Sequence, residues 1–380
     1  MLSSGGQAPA AGASAAGSSS SGGVAGGVAT GGSGGGGSSG AAGGAAAGSG
    51  GSEASGGSGG SGGGGTGGGG SGGSASADTP PSRPLDVKAT PARYQHTFKA
   101  SDADSEVSFN NASQIAVFDN RAKKLVGKLV LPFGGAGSTA GTLGGHGEFC
   151  ARRGFHVLAI AAFQDYNIVL GDADFYGDAR RQVFEGMTYT TKGDFANVKM
   201  GPADGVARRT QKALAFLHQK YPDEDWGYYL QADGSVRWSD VIFTGMSHGA
   251  SNAARFAMLV RAWRAVSIAG PRDNACANLN QANCGGVVAK WFDEEPRTPI
   301  DRFFAITGKT DDQHTQHLFA FERIGYLGVP VAVQGAQPPY GGSHRFIAGG
   351  GHEEFCGQAA YDAVCNLAFG VPSENHAGVQ

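Results

Sequence analysis

Short apolar runs alternate with amphipathic stretches from about residue 107 to the C-terminus. The apolar runs predict β-strands over residues 107–110, 113–119, 125–133, 154–161, 240–244, 265–269, 302–307 and 329–333. Apolar positions at helical spacing predict helices over residues 142–153, 202–221, 250–264 and 353–367, with an irregular insertion over residues 164–201. Residues 154–161 are almost continuously apolar, as in a parallel strand buried on both faces. We therefore expect a mostly parallel central sheet with helices on both faces.

The N-terminal part of the chain has a different composition. Residues 1–77 are almost wholly Gly, Ser and Ala, and Glu53 is their only charged residue. Such a segment cannot bury enough apolar surface to offset its ordering entropy, so we predict a disordered tether. Pro80, Pro81 and Pro84 then form a stiffer hinge. We expect a tail and hinge over residues 1–84, followed by a single domain over residues 85–380.

Charge and hydropathy restrict the partners and the location. The formal net charge is -3 and no basic stripe carries interleaved aromatic residues, so nucleic acid is not an expected partner. No apolar run reaches the roughly 18 residues of a transmembrane helix. Residues 1–4 lack the features of a signal peptide, but the Gly/Ser-rich tail is similar to the stalk of a bacterial lipoprotein or secreted enzyme. This favours an extracellular or cell-envelope location.

Five cysteines are compatible with an oxidising compartment. Cys276 and Cys284 lie close together in a loop and could form a small disulfide ring. At about 1.5 Å per residue, an unbroken helix over residues 353–367 would hold Cys356 and Cys365 roughly 13 Å apart, beyond disulfide reach. A disulfide from Cys150 to one of these two is therefore the preferred hypothesis.

The segment Gly-Met-Ser-His-Gly at residues 245–249 directly follows the apolar run 240–244. A buried strand that ends in G-x-S-x-G and opens into a helix is the nucleophile elbow of an α/β-hydrolase fold. The small residues Gly245 and Gly249 allow the strand and the helix to approach closely. The Ser247 hydroxyl is then exposed at the positive N-terminal end of the helix. We predict Ser247 as a nucleophile.

A serine hydroxyl needs a general base and an acid that orients it, and in this fold the chain order is Ser, acid, His. Asp311 follows the predicted strand 302–307 and is the preferred acid, with Asp312 as the alternative. His352 lies in a glycine-rich turn ahead of the last helix and is the preferred base. His344, in another glycine-rich segment, is the alternative base.

Two kinds of residue complete the predicted chemistry. The backbone N–H of His248 and that of Gly135 or Gly134, after the strand 125–133, are expected to stabilise an oxyanion. His314 and His317 lie on a predicted helix beside Asp311 and Asp312 and could share a metal ion with them, but no strong metal-binding spacing is present. We therefore expect neither a metal nor a cofactor.

Arg180 and Arg181, in the insertion, are interpreted as solvated surface residues rather than as contacts to an acidic substrate.

Several segments together are similar to one group of bacterial enzymes. These are PFGG at residues 132–135, RGFHVL at 153–158, WSDV at 238–241, GMSHG at 245–249 and PPYGGSH at 338–344. Over residues 107–369 the chain resembles the BPSS1187-type bacterial α/β-hydrolases. The resemblance implies serine hydrolase chemistry with Ser247 as nucleophile and leaves the substrate open. The late histidine of that group matches either His344 or His352.

The sequence as a whole predicts a serine hydrolase that cleaves a small-molecule or polymeric carboxylic ester through an acyl-enzyme. The insertion over residues 164–201 is expected to act as a lid and specificity element. An amidase or peptidase would use the same triad. A catalytically silent binding module on the same fold, tethered to a surface, is the alternative from another class.

Overall fold

A computed structural model describes residues 78–166, 172–274 and 287–380. The strands are β1 (Arg93–Lys99), β2 (Ser113–Asp119), β3 (Leu129–Phe133), β4 (His156–Ala159), β5 (Val241–Met246), β6 (Arg264–Ile268), β7 (Phe303–Gly308), β8 (Val331–Ala332) and β9 (Arg345–Ala348). The α-helices are α1 (Ala100–Ala103), α2 (Gly144–Ala151), α3 (Phe175–Glu185), α4 (Val206–Lys220), α5 (His248–Leu259), α6 (His314–Ile324) and α7 (Asp362–Phe369). The predicted tail and the Cys276–Cys284 ring lie outside the described residues.

The strands form a single sheet in the order β1-β2-β4-β3-β5-β6-β7-β9-β8. The β1–β2 and β2–β4 pairs are antiparallel, and every other neighbouring pair is parallel. The predicted mostly parallel sheet is therefore confirmed. Because the parallel strands all run in one direction, the loops that follow β3, β5, β7 and β9 emerge at one edge of the sheet, where open α/β sheets bind their ligands.

Two hydrophobic cores, one on each face, hold the helices against the sheet. Alternate residues of β3 divide between them: Leu129 and Leu131 face one core, and Val130 faces the other. Helices α3, α4, α5 and α6 contribute to the first core, and α2 and α7 contribute to the second. The helices thus cover both faces, as the alternating strands and helices of the sequence predict.

Several predicted elements differ from those observed. Residues 107–110 form a loop rather than a strand. β1 was not predicted, because its sequence RYQHTFK is mostly polar; it is the sheet's edge strand, and its alternate residues are exposed. β9 was not predicted either, because its four residues lie between glycine-rich segments. The insertion predicted as irregular contains α3, which ends at Glu185 and is followed by Gly186 in the left-handed conformation.

The last helix is shorter than predicted, and this changes the disulfide pairing. α7 begins at Asp362, so Cys356 lies in the preceding loop and not on the helix. The two Cα atoms of Cys356 and Cys365 are 5.7 Å apart, and the residues form a disulfide. Cys150 is a buried free thiol. The preferred hypothesis of a disulfide from Cys150 was therefore wrong, because it assumed an unbroken helix.

The described end of the predicted hinge is bonded to the rest of the molecule. The Asp78 carboxylate accepts the backbone N–H of Ser239, and the guanidinium of Arg83 pairs with the Asp225 carboxylate. Among the described residues, no helix is long and apolar enough to cross a membrane.

The His156 ring at the start of β4 links the sheet to the segment before β5. Its Nε2–H donates to the Glu224 carbonyl at 2.8 Å, and its Nδ1 accepts the Tyr229 hydroxyl at 2.9 Å. The ring is fully buried, and this burial lowers the pKa of His156 to about 4. The neutral imidazole is therefore the form that the fold accommodates.

We predict that His156 makes the protein sensitive to acid. The unfolded chain takes up a proton near pH 6.5 but the folded chain only near pH 4, so this contribution to stability is lost as the pH falls between these values. Urea denaturation at several pH values should show a shallower pH dependence, by up to about one proton, in His156→Gln. The exposed His218→Gln is the control, and an unchanged slope in His156→Gln would contradict the prediction.

Candidate active site

Ser247 lies at the turn between β5 and α5, in a backbone conformation that only a tightly constrained residue adopts. Its φ is 58° and its ψ is -119°. Residues other than glycine rarely adopt a positive φ. A Cβ on Gly245 would lie 2.3 Å from the Gly249 carbonyl carbon, so the strand and the helix meet without space for a side chain. The strained turn predicted from the G-x-S-x-G segment is present.

The loop after β3 approaches the same turn. A Cβ on Gly249 would lie 2.3 Å from the Phe133 carbonyl oxygen and 2.5 Å from that of Gly134. A Cβ on Gly135 would lie 3.7 Å from the Ser247 Cβ, so the Gly135 backbone borders the serine. His248 is the first residue of α5, and its N–H therefore has no acceptor within the helix. The predicted oxyanion donors thus lie around Ser247.

Asp311 and His352 come from the loops after β7 and β9 and form a hydrogen bond. The His352 Nδ1 donates to the Asp311 Oδ2 at 2.8 Å. Because Nδ1 carries the proton, Nε2 keeps its lone pair and can accept one. The Asp311 side chain is fully buried, whereas that of His352 is 28% exposed. This is the orientation in which a carboxylate holds an imidazole for use as a base.

Backbone contacts position these two loops against each other. The Thr310 N–H donates to the Gly350 carbonyl at 3.1 Å, and the Lys309 N–H donates to the Ala348 carbonyl at 2.8 Å. A Cβ on Gly308 would lie 2.1 Å from the Gly351 carbonyl oxygen. The glycines at the end of β7 and after β9 therefore allow a close approach that brings His352 to Asp311.

Asp311 is ionised over the physiological pH range. Burial opposes this, but the hydrogen bond from His352, the nearby His317 and the Gln313 N–H favour the charged form and lower the pKa of Asp311 to about 2. The Gln313 N–H donates to the Asp311 Oδ1 at 2.8 Å, so both carboxylate oxygens have a donor. A fixed carboxylate of this kind can stabilise a protonated imidazole beside it.

The alternative residues lie elsewhere. His344 precedes β9, at the opposite edge of the sheet from Ser247, where its Nδ1 donates to the Phe303 carbonyl at 3.1 Å and its ring stacks on Phe304. Asp312 is exposed, whereas Asp311 is buried. The geometry therefore joins His352 with Asp311 and separates His344 from both.

The two histidines of α6 form hydrogen bonds with the hydroxyl of Thr307, near the end of β7. His317 Nδ1 lies 2.9 Å from the Thr307 Oγ1, and His314 Nδ1 lies 3.3 Å from it. Burial lowers the pKa of His317 to about 3. Asp311, His317 and His352 each have a possible ligand atom within 4.8 Å of the others, so these three residues could hold a metal ion. The sequence grouped His314 and His317 with the two aspartates. In the structure His352 takes the place of His314 and Asp312 in the group around Asp311.

A polar cavity of about 270 Å³ opens beside Ser247. Arg180 of α3 reaches it, although the sequence was interpreted as placing this residue at the solvated surface. The Arg180 guanidinium is buried and pairs with both oxygens of Asp273 at 2.6 Å, and it donates to the Asn252 Oδ1 at 2.6 Å. Arg181, the next residue, is 43% exposed and pairs with Glu185. The missed signal is the helix over residues 175–185, in which consecutive residues point in different directions, so that only one of the two arginines faces the core.

The cavity links the serine to the Asp311–His352 pair. Ser247 and Gln313 line the same cavity, and the Gln313 N–H donates to the carboxylate that holds His352. Among the described residues, no direct hydrogen bond joins the Ser247 hydroxyl to His352. Catalytic hydrogen bonds are often long in the absence of substrate and shorten in the complex.

Comparison with known proteins gives distant structural likenesses. No protein-family model and no curated protein sequence matches the chain. An esterase from the archaeon Pyrobaculum calidifontis is 15% identical, with 76% of this chain and 88% of that chain covered and a TM-score of 0.37. A bacterial heroin esterase is 13% identical (74% and 86% covered, TM-score 0.35), and the fluorophosphonate-binding serine hydrolase F of Staphylococcus aureus is 12% identical (73% and 99% covered, TM-score 0.38). The sheet order, the elbow at Ser247 and the helices on both faces give the chain the α/β-hydrolase fold predicted from its sequence.

We predict that Gly249 cannot carry a side chain without cost to the fold. In Gly249→Ala the added methyl group would meet the carbonyl oxygens of Phe133 and Gly134. Overpacking of this kind lowers the free energy of unfolding by about 1–3 kcal/mol, which urea denaturation measures. Gly201→Ala is the matched control, because the nearest atom to its Cβ would be 3.8 Å away. Equal stability of the two variants would show that the elbow is not tightly packed.

Proposed function

We propose that this protein is a serine hydrolase that cleaves carboxylic esters, with Ser247, His352 and Asp311 as its catalytic triad. The observation that carries the proposal is the strained, positive-φ Ser247 beside a cavity, at the edge of the sheet where Asp311 orients His352. A positive φ at a non-glycine residue costs about 1–3 kcal/mol and is found mostly where function requires it.

In the proposed reaction, the Ser247 hydroxyl attacks the acyl carbon of the ester while His352 Nε2 takes its proton. The ionised Asp311 stabilises the resulting imidazolium and keeps its orientation. The N–H groups of His248 and of Gly135 or Gly134 stabilise the negative charge on the tetrahedral oxygen. His352 then protonates the leaving alcohol. Water, activated by His352 in the same way, hydrolyses the acyl-enzyme and releases Ser247.

The proposal extends to the type of enzyme and its location. The motifs at residues 245–249 and 338–344 support a relationship to the BPSS1187-type hydrolases. The Cys356–Cys365 disulfide is typical of proteins in oxidising compartments, which supports an extracellular or cell-envelope location with residues 1–84 as a tether. The helix α3, within the insertion at residues 164–201, borders the cavity through Arg180 and is the proposed specificity element.

We predict that a fluorophosphonate probe labels Ser247 and that labelling depends on His352. Mass spectrometry of the modified peptide should identify Ser247 in the native protein and no label in Ser247→Ala. In His352→Ala the labelling rate should fall by about a thousandfold or more, because no base activates the hydroxyl. His344→Ala is the matched control and should label normally. Absence of labelling in the folded native protein would favour the silent binding module.

We further predict a preference for esters over amides. With the same acyl group, a 4-nitrophenyl ester should have a higher kcat/KM than the 4-nitroanilide, because the phenolate leaves without needing a proton from His352. Both rates should fall together in Asp311→Asn, which removes the charge that stabilises the imidazolium. An anilide rate equal to or above the ester rate would instead favour the amidase or peptidase.

A further inference from the structure

The charges around the cavity beside Ser247 are not balanced. Three charged residues line it: Arg180, Arg272 and Asp273. Asp273 is fully engaged, since both its oxygens accept from Arg180 and its Oδ2 also accepts the Trp291 Nε1–H at 2.8 Å. The Arg180–Asp273 pair is buried and neutral as a unit, with side chains 2% and 0% exposed.

Arg272 supplies the remaining positive charge. Its backbone N–H donates to the Ser251 Oγ at 3.0 Å, which fixes its position next to α5. No carboxylate among the described residues forms an ion pair with its guanidinium, and the side chain is half-buried. Burial is the main cause of the low pKa of His248 and of His317, and the positive charge of Arg272 contributes in both cases. The positive charge of Arg272 therefore contributes to the electrostatic potential around Ser247 and Asp311.

The rest of the cavity suits a short, polar group. Its volume of about 270 Å³ lies just below the usual range of ligand pockets, about 300–1,000 Å³. Tyr166, Tyr176 and Gln313 give it polar walls, and Ala136 and Ala269 are its small apolar residues. A cavity of this volume with mostly polar walls does not suit a long alkyl chain.

We infer that the preferred substrates are esters whose short acyl group ends in a carboxylate, and that Arg272 binds this carboxylate. The inference rests on the proposed ester hydrolysis and adds its substrate class. A guanidinium presents two parallel N–H donors that match the two oxygens of a carboxylate, and this bidentate pairing is strong in a partly buried site. The carboxylate also neutralises the unbalanced charge of the cavity. Arg272 is then the residue that determines specificity for such half-esters of dicarboxylic acids.

The test compares two esters that differ in the terminal group alone. These are the mono-4-nitrophenyl ester of glutaric acid, which carries a carboxylate, and 4-nitrophenyl pentanoate, which is neutral and of similar length. The native protein should have the higher kcat/KM for the glutarate ester. In Arg272→Gln the ratio of the two kcat/KM values should fall by about ten- to a hundredfold, the effect of losing a charged hydrogen-bonded pair. Arg272→Lys should retain part of the preference, because lysine keeps the positive charge but lacks the two parallel N–H donors of the guanidinium.

Arg181→Gln is the matched control, because this exposed arginine lies outside the cavity, and its ratio should equal that of the native protein. Circular dichroism establishes whether each variant is folded. If Arg272→Gln does not fold, the ratio measured for Arg272→Lys decides the test. A native preference for the neutral ester, or a ratio unchanged in both Arg272 variants, would overturn the inference and leave ester hydrolysis intact.

A binding measurement separates the two proposals. Calorimetric titration of the full chain with glutarate should show binding that weakens at least about tenfold in Arg272→Gln and is unchanged in Arg181→Gln. Glutarate binding of this kind without turnover of either ester would support the carboxylate site and contradict the proposed function. Ester turnover without glutarate binding would contradict the carboxylate site.

Discussion

The candidate active site depends on close contact between backbones that have no side chains between them. Three glycines make this possible: Gly245 and Gly249 at the elbow, and Gly308 at the end of β7. At each of them an added Cβ would lie within about 2.5 Å of another backbone atom, closer than any atom can pack. The turn at Ser247, the loop after β3 and the His352 loop can converge on one edge of the sheet only because these positions are empty. The proposed chemistry thus depends on residues that take no part in it.

Much of the site could be predicted from the chain, because local sequence encodes it. The G-x-S-x-G segment after an apolar run indicated the elbow, and the chain order of Asp311 and His352 indicated their partnership. The choice between His352 and His344 needed β9, which lies between the two histidines. Once residues 345–348 are a strand, the histidines must lie at opposite edges of the sheet. Four residues flanked by glycines gave too weak a pattern to predict that strand.

Other features could not be predicted because they depend on contacts distant in sequence. Arg180 appeared to be a surface residue, since its helix is part of a polar insertion, but Asp273 and Asn252 lie 93 and 72 residues away. A buried guanidinium is tolerated only where such partners replace its hydration. The Cys356–Cys365 disulfide was missed for a different reason. Helix boundaries are the least certain part of a pattern-based prediction, and the start of α7 decides whether these cysteines can meet.

The two outer strands of the sheet have a consequence for solubility. An edge strand exposes unpaired N–H and C=O groups, to which a second chain can add a strand and begin an aggregate. β8, at one edge, is only two residues long. β1, at the other edge, carries exposed Arg93, Gln95 and Lys99, and a charged side chain placed beside a neighbouring strand disfavours pairing. Among the described strands, neither edge therefore offers another chain a long apolar strand, and the nine-stranded sheet disfavours pairing with its own copies.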